Sequence, residues 1–386
     1  MRAIVRLVCA ASALLVAACA APAASPGASG QPAGSSARPA PTPAPRSAYD
    51  DPAWEPLIAA ARQEGTLVLA SGPDPNTRVK LPAAFKERFG VEIEYLAGRS
   101  SELQTRLRSE RAAGVSSIDV IISGGDTAAG MYNDGWFQPM RPLLVVPAAT
   151  NLAAFRNNRL PFKDPQDAYL FELESDVNGL WVVNPAIVAD ADLQTLDGLL
   201  APRWTGKISV EDPNVPGQGQ NNGVYLYVLK GEEFFRRLYV DQQPAVSRDD
   251  RQMQDWLARG QYPITFGLQP KDVDEMQQQG LPAKLIGLLD GPGFVVGGFG
   301  IMAVFDKPPH PNAAKLFVNW MATPEGMGLH ASTEGGVPLR KDVERPWVKD
   351  VQVPKEGVAY LDLYDYRYIM EQKPAILRRM REIMGQ

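Results

Sequence analysis

Residues 66–70 of the 386-residue chain read TLVLA, an apolar run after Gly65 that indicates a buried strand. Two further strands are predicted downstream, VEIEYL at 91–96 and IDVII at 118–122. Helical patterns precede or separate the three strands, at 57–64, 81–89 and 102–113. Strands and helices that alternate at this spacing predict right-handed crossovers and a parallel sheet.

A second α/β series follows, so the chain is predicted to hold a second sheet. Its predicted strands are 179–183, 207–210, 262–266 and 283–288, and its predicted helices are 193–200, 222–239, 249–258 and 272–279. Residues 294–305 are apolar, contain glycines and are long enough to run from one sheet to the other. Late helices are predicted at 312–321 and 364–384. The roughly 340 residues of this part exceed what one core usually holds, which predicts two lobes.

The first 49 residues differ in composition from everything that follows. A basic start with Arg2 and Arg6, a short apolar run and small residues predict a signal peptide over 1–18. Residues 16–19, VAAC, resemble a bacterial lipobox, which implies that Cys19 becomes the lipid-bearing first residue. The alternative is an ordinary secretory signal cut near Ala20 or Ala24. Residues 19–49 are rich in Ala, Pro, Ser and Gly and predict an extended tether.

Cysteine and charge exclude several function classes. The two cysteines, Cys9 and Cys19, both precede the folded part, which excludes disulfides, thiolate catalysis and cysteine zinc sites there. Removing the signal peptide takes away two arginines and no acids, so the net charge of −5 becomes −7. A nucleic-acid-binding protein normally has a basic face, so that class is disfavoured.

Small polar residues follow each of the first three predicted strands. The carboxyl ends of parallel strands share one edge of a sheet, where ligands bind against free N–H groups. Arg99 adds a group that can pair with an anion. The alternative is ordinary turn chemistry, because glycine and serine are common in such turns. The candidate binding residues in these turns are Ser71, Gly72, Arg99, Ser100, Ser123, Gly124 and Gly125.

The second series offers a glycine- and amide-rich loop, GQGQNN at 217–222, which leads into a helix. The loop lacks the Lys-Ser/Thr ending of a P-loop, so nucleotide hydrolysis is disfavoured. It suits hydrogen bonding to a neutral or anionic solute. The candidate binding residues here are Asp212, Gly219, Asn221, Asn222, Tyr225, Phe266 and Gly298.

Catalytic patterns are sparse. The two histidines, His310 and His330, lie in contexts that favour structural roles. The chain has neither a nucleophile-elbow motif nor a His-x-x-x-His pair. The sequence therefore predicts a protein that is not an enzyme and needs no cofactor or bound metal.

Several segments together resemble the extracellular solute-binding proteins of ABC importers, in the branch of the ferric-ion-binding proteins. They are AAARQEG at 59–65, residues 102–113 before IDV, PRWTGKI at 202–208, and HPNAAK at 310–315 followed by FVNW. The resemblance implies a two-lobed periplasmic-binding-protein fold. Each lobe would be a mainly parallel sheet flanked by helices, and two β crossings would join the lobes. A solute would be held in the cleft between them.

The same resemblance implies the domain limits, partners and location. Lobe 1 is expected over 50–175 and 299–345, lobe 2 over 176–298, and a C-terminal helical segment across both lobes over 346–386. The protein would be a monomer that delivers a small solute to an ABC permease, without nucleic acid. It would lie in the periplasm or on the outer face of the cell membrane, anchored through Cys19.

One departure from the ferric-binding pattern matters for the ligand. Those proteins usually offer adjacent tyrosines, whereas here Tyr225 and Tyr227 are two apart, about 200° around a helix. The expected ligand is therefore a small organic solute, anionic or phosphorylated. Trp181 and Tyr225 either stack on a ring of that solute or belong to the core. A ferric-iron receptor, a sensor or scaffold lipoprotein, and a hydrolase on the same fold are the alternatives.

Overall fold

The computed structural model describes residues 49–385. The predicted signal peptide, the proposed anchor at Cys19 and nearly all of the predicted tether lie outside the described residues. Between residues 49 and 385, no helix is both long enough and apolar enough to cross a bilayer.

The elements of the described part are as follows. The strands are β1 Thr66–Ser71, β2 Glu92–Ala97, β3 Val120–Ser123, β4 Phe171–Glu172, β5 Asp176–Asn178, β6 Trp181–Val183, β7 Ile208–Glu211, β8 Ala245–Ser247, β9 Ile264–Phe266, β10 Lys284–Gly287, β11 Phe294–Val296, β12 Ile301–Val304 and β13 Leu361–Asp362. The α-helices are α1 Trp54–Glu64, α2 Pro75–Phe89, α3 Ser100–Ala112, α4 Gly125–Asn133, α5 Pro147–Thr150, α6 Gln218–Arg236, α7 Asp250–Ala258, α8 Pro270–Gln278, α9 Pro311–Met321, α10 Pro324–Glu334 and α11 Lys373–Ile383. Short 3-10 helices lie at Arg141–Leu143, Leu152–Ala154, Arg156–Asn158, Asp190–Asp192, Leu196–Leu200, Pro202–Trp204 and Asp350–Gln352.

Two five-stranded sheets form the two lobes. The first has the order β2-β1-β3-β12-β4, and the second has the order β10-β6-β9-β7-β8. The two-lobed α/β prediction is confirmed. Both sheets are mixed, since β12 is antiparallel to β3 and β4, and β6 is antiparallel to β9 and β10. Both β6 and β12 enter their sheet from the crossing region, which reverses their direction relative to the parallel strands.

A third, three-stranded sheet with the order β13-β11-β5 lies where the chain crosses between the lobes. Strand β5 follows β4 of the first sheet, pairs antiparallel with β11 and precedes β6 of the second. Strand β11 precedes β12 of the first sheet, and Gly297–Gly300 separate the two strands. The expected pair of β crossings is therefore confirmed, and residues 294–305 form two strands in different sheets.

Aromatic side chains fill the core of the first lobe. Phe85 and Phe89, four apart on α2, lie on one face of that helix, as their spacing predicts. Trp54 stacks on Phe89 with 5.7 Å between ring centroids, and Phe317 meets Phe85 edge-on at 5.4 Å. Trp320 closes the cluster 5.3 Å from Phe85. These contacts pack α1, α2 and α9 on the sheet that positions the binding turns.

Several predicted helices differ from the structure. The segment 193–200 forms 3-10 turns, and α6 begins at Gln218, four residues before the predicted start. Gly231 interrupts α6 with φ 83°. The last helix, predicted from 364, begins at Lys373 after a π-turn over 368–372, since Pro374 has no N–H to continue a helical ladder through it. Helices α4 and α5 were not predicted.

A single buried amide joins α9 to the chain before α5. Asn319 is fully buried, and its Oδ1 accepts from the N–H groups of Val145 and Val146 at 2.9 and 3.1 Å. Its Nδ2 donates to the carbonyl oxygens of Leu143 and Lys315, both at 2.8 Å. The side chain therefore satisfies four backbone groups.

We expect Asn319→Ala to lower the free energy of unfolding by about 2–4 kcal/mol, because it leaves these buried backbone groups unpaired. Urea unfolding followed by circular dichroism measures the change. Ser332→Ala, which removes an exposed hydroxyl on α10, is the matched control. A loss under about 1 kcal/mol for Asn319→Ala would show that water or other groups replace the amide.

Candidate ligand-binding cleft

A cavity of about 320 Å³ lies between the two lobes, with the crossing strands as part of its wall. From the first lobe it is lined by Pro73, Arg99, Gly124, Asp126, Thr127, Glu334 and Gly335. From the second lobe it is lined by Glu211, residues 215–218, Asn221, Arg248, Asp250, Gly267 and residues 269–272. The crossing and C-terminal segments add Glu174, Asp176, Asn178, Phe294, Val296, Gly298, Phe299, Gln352 and Tyr364. Its volume suits a small organic molecule.

The turns after β1, β2 and β3 meet at one edge of the sheet, as the parallel order requires. Arg99 and Gly124 line the cavity, and Ser100 begins α3. Ser71 and Ser123 are corrections to the predicted site, because both are fully buried within the sheet. Each serine is the last residue of its strand and points into a packed layer, so neither hydroxyl reaches the cavity.

Two of the predicted glycines are covered by aromatic rings. A Cβ at Gly125 would lie 2.5 Å from the Tyr364 ring, and one at Gly72 would lie 2.9 Å from the Phe299 ring. Glycine is required at both positions so that a ring can approach the backbone. The rings of Tyr364 and Phe299, and not the glycine backbones, are therefore presented to the cavity.

Only some of the residues predicted around the loop before α6 line the cavity. Asn221 lines the cavity, and its Oδ1 accepts from Lys373 Nζ at 2.8 Å. Asp212 does not line it and instead accepts from the Asn214 N–H at 2.9 Å. Gly219 packs on the Asp212 carbonyl oxygen, and Asn222 is buried with both amide atoms unpartnered. The helix geometry directs successive side chains to different faces, so Asn221 reaches the cleft and Asn222 does not.

The aromatic candidates of the second lobe belong to its core. Phe266 stacks on Trp181 with 4.1 Å between centroids and 5° between planes. Tyr225 packs on Phe294, and its hydroxyl accepts from the Gly293 N–H at 3.2 Å. Phe266 and Tyr225 do not line the cavity, whereas Gly298 does. Of the two roles considered for Trp181 and Tyr225, the structure therefore supports packing in the core.

Carboxyl groups outnumber basic groups in the described lining. Seven acidic side chains face three basic ones, and the basic ones are Arg99, Arg248 and Lys271. Burial and then the nearby Asp250 raise the pKa of Glu211 to about 8. Sequence reasoning did not predict this excess of carboxyl groups in the lining.

Three acids on the first crossing were missed. Glu172 ends β4, Glu174 lies between the two strands and Asp176 begins β5. Burial raises the pKa of Glu172 and of Asp176 to about 7, and Lys163 opposes the shift at Glu172 from 3.2 Å. The available signal was ELESD at 172–176, in which acids occur at every second position beside apolar residues.

The histidines have structural contacts. His310 Nδ1 lies 2.9 Å from Asp119 Oδ2, and its N–H donates to Asp119 Oδ1. His330 is fully buried, with Nε2 2.9 Å from the Phe299 carbonyl oxygen. Neither histidine lines the cavity.

The C-terminal segment contacts both lobes through one buried cation. Lys373 is 1% exposed, and its Nζ lies 2.7 Å from both carboxylate oxygens of Asp126 on α4. The same nitrogen donates to Asn221 on α6. One ammonium group thus joins the first lobe, the second lobe and α11 at the wall of the cleft.

We expect Lys373→Met to lower the free energy of unfolding by about 2–4 kcal/mol, because Asp126 loses its counter-charge. Adding Asp126→Asn should recover part of that loss, and differential scanning calorimetry measures both effects. Lys355→Met, at an exposed position, is the control. Equal stability of the single and double variants would contradict the pairing.

Comparison with known proteins agrees with this geometry. Residues 80–355 match the family model described as bacterial extracellular solute-binding protein. The comparison with curated protein sequences found no match.

Solved structures of similar fold share little sequence with the chain. Iron-bound HitA from Pseudomonas aeruginosa is 17% identical with a TM-score of 0.63, over 82% of this chain and 99% of that one. AfuA from Actinobacillus pleuropneumoniae, with fructose-6-phosphate bound, is 16% identical with a TM-score of 0.64, over 83% and 99%. The ferric binding protein from Campylobacter jejuni is 19% identical with a TM-score of 0.62, over 82% and 99%. The chain belongs to the bacterial extracellular solute-binding protein family of ABC importers.

Proposed function

We propose that this protein captures a small organic solute in its interlobe cleft and delivers it unchanged to an ABC permease. The observation that carries the proposal is the cavity of about 320 Å³ between two lobes that crossing strands and the C-terminal segment connect. Of the residues predicted from sequence, Arg99, Gly124, Asn221 and Gly298 line that cavity.

Two direct contacts between the lobes span the cleft. Arg99 Nη2 donates to the Arg248 carbonyl oxygen at 2.9 Å, and Lys271 Nζ lies 3.2 Å from Asp74 Oδ2. The first contact joins the turn after β2 to the loop before α7, and the second joins α8 to the N-cap of α2. Opening the cleft would break both, which is consistent with capture by closure.

Iron is the less favoured cargo, although structural neighbours include ferric-binding proteins. No group of three His, Cys, Asp or Glu side chains in residues 49–385 is placed to hold a metal ion. Among the described lining residues tyrosine is represented by Tyr364, which is fully engaged in donating to the Gly298 carbonyl oxygen at 2.5 Å. Hard ferric iron requires several anionic oxygen ligands.

An anionic or phosphorylated solute stays a prediction. The prediction of an anionic ligand was based on Arg99, and this side chain already donates a hydrogen bond to the opposite lobe. Ionised carboxylates in the lining would also repel an anion. A hydrolase on this fold lacks support, because neither histidine reaches the cleft. A sensor or scaffold protein would have the same cleft but would not deliver the solute to a permease.

The remaining parts of the proposal concern organisation and location. Lobe limits of 50–175 with 299–345, and 176–298, keep each five-stranded sheet within one lobe. We propose that the protein is a monomer outside the cytoplasm, anchored through Cys19. A tether over residues 19–49 would hold the receptor near its permease at a raised effective concentration.

We expect the protein, purified from cells that express it, to carry a solute with a mass consistent with the cavity. Native mass spectrometry before and after mild unfolding would identify that solute and show it to be chemically unchanged. Deletion of the gene should abolish its uptake. Chemical conversion of the solute by the protein would contradict a transport role, and unchanged uptake would favour a sensor.

Ferric citrate added to the ligand-free protein should produce no visible phenolate–iron absorption band, because the described cleft offers no set of phenolates. A band that disappears in Tyr364→Phe would reinstate iron as the cargo. Tyr360→Phe, outside the cavity lining, is the matched control.

A further inference from the structure

Several acids that line the cleft have hydrogen-bond partners within the described chain, whereas Glu174 has a buried carboxyl oxygen without one. Three of them already accept hydrogen bonds: Asp126 from Lys373, Asp176 from the Val337 N–H, and Glu334 from the Thr77 hydroxyl. Glu174 differs, because its Oε2 is buried without any hydrogen-bond partner. An unpaired carboxyl in a buried wall is costly unless a donor arrives from the cavity.

Glycines surround the Glu174 side chain. The residue lies on the first crossing between β4 and β5 and is 1% exposed. A Cβ at Gly336 would lie 2.1 Å from Glu174 Oε2, and one at Gly300 would lie 2.9 Å from its Cγ. Any larger residue at these positions would displace the carboxyl. The crossing and the chain after α10 therefore hold it at the cavity wall.

We infer that Glu174 binds the ammonium group of an organic cation, which makes cationic solutes the substrate class of the cleft. The inference rests on the proposed function, since it assumes that the cleft receives a solute. An ammonium group supplies the missing donors and forms charge-assisted hydrogen bonds. Phe294, Phe299 and Tyr364 line the same cavity, and aromatic faces attract organic cations.

The excess of acids supports this assignment. Within the described lining, seven carboxyl groups against three basic groups attract a cation and repel an anion. The three basic groups lie at the contacts that join the lobes or beside them: Arg99 donates to Arg248, and Lys271 pairs with Asp74.

Binding at Glu174 should release a proton. Burial, then Asp176 on the same crossing and Glu334 on α10, raise its pKa well above the usual range, Glu172 adds to this, and Lys271 on α8 opposes it. A bound ammonium group favours the charged carboxylate and therefore lowers this pKa. Affinity for a cation should therefore rise with pH, because Glu174 loses its proton more easily at higher pH.

Three isosteric probes test the inference by isothermal titration calorimetry: benzylamine, benzyl alcohol and benzoate, each at up to about 20 mM. We expect benzylamine to bind at least about 10-fold more tightly than benzoate. Glu174→Gln should lower the affinity for benzylamine by a similar factor and leave the affinity for benzyl alcohol unchanged. Glu87→Gln, the same change at an exposed position on α2, should behave as the wild type.

Proton release is measured on the wild type, so the test does not depend on a folded variant. Benzylamine titrated in buffers of different ionisation enthalpy should show net proton release. Benzoate binding as tightly as benzylamine, absence of benzylamine binding, or absence of proton release would overturn the inference. The proposed function is tested separately. A co-purified anionic solute that is transported unchanged would refute the assignment of a cationic solute but not the transport role.

Discussion

The antiparallel pairing of β5 with β11 is the constraint on which the cleft depends. Residues 176–178 pair with 294–296, so both passages of the chain between the lobes lie side by side. This pair places its own side chains at the wall of the cavity. A solute in the cavity would therefore contact the side chains of the crossing strands. In this protein they present Glu174, Asp176, Asn178 and Phe294.

The rest of the cleft is arranged around this wall. The C-terminal segment adds β13 beside β11 and buries Lys373 against Asp126 and Asn221, so that one cation neutralises an acid at the meeting point of three elements. Tyr364 and Phe299 cover the two glycines that follow β3 and β1. The predicted turn residues thus provide shape, while rings and carboxyls provide the surface that faces the solute.

Much of the fold could be predicted because it depends on local patterns. The strand at 66–71 and the Phe85–Phe89 face of α2 follow from apolar periodicity alone. The site was less predictable. Arg99 and Asn221 were identified because polar residues at strand and helix ends point to ligands, but Phe266 satisfied the same rule and lies in the core. Glu174 was missed because it lies within a crossing that has too few paired residues to show a strand pattern.

By itself, the sequence determined the two-lobed α/β class, the absence of cysteine chemistry from the folded part and the histidine-poor character of the site. These properties depend on composition and on periodicities that neighbouring residues define. Only the tertiary structure decided which polar groups face the cavity and which acids lack partners. Asp126 and Glu174 are both acids of the cleft wall, yet Lys373 pairs with the first from 247 residues away, whereas Oε2 of the second is buried without a hydrogen-bond partner in the described chain. Pairing over such distances depends on how the chain packs, and no local pattern records it.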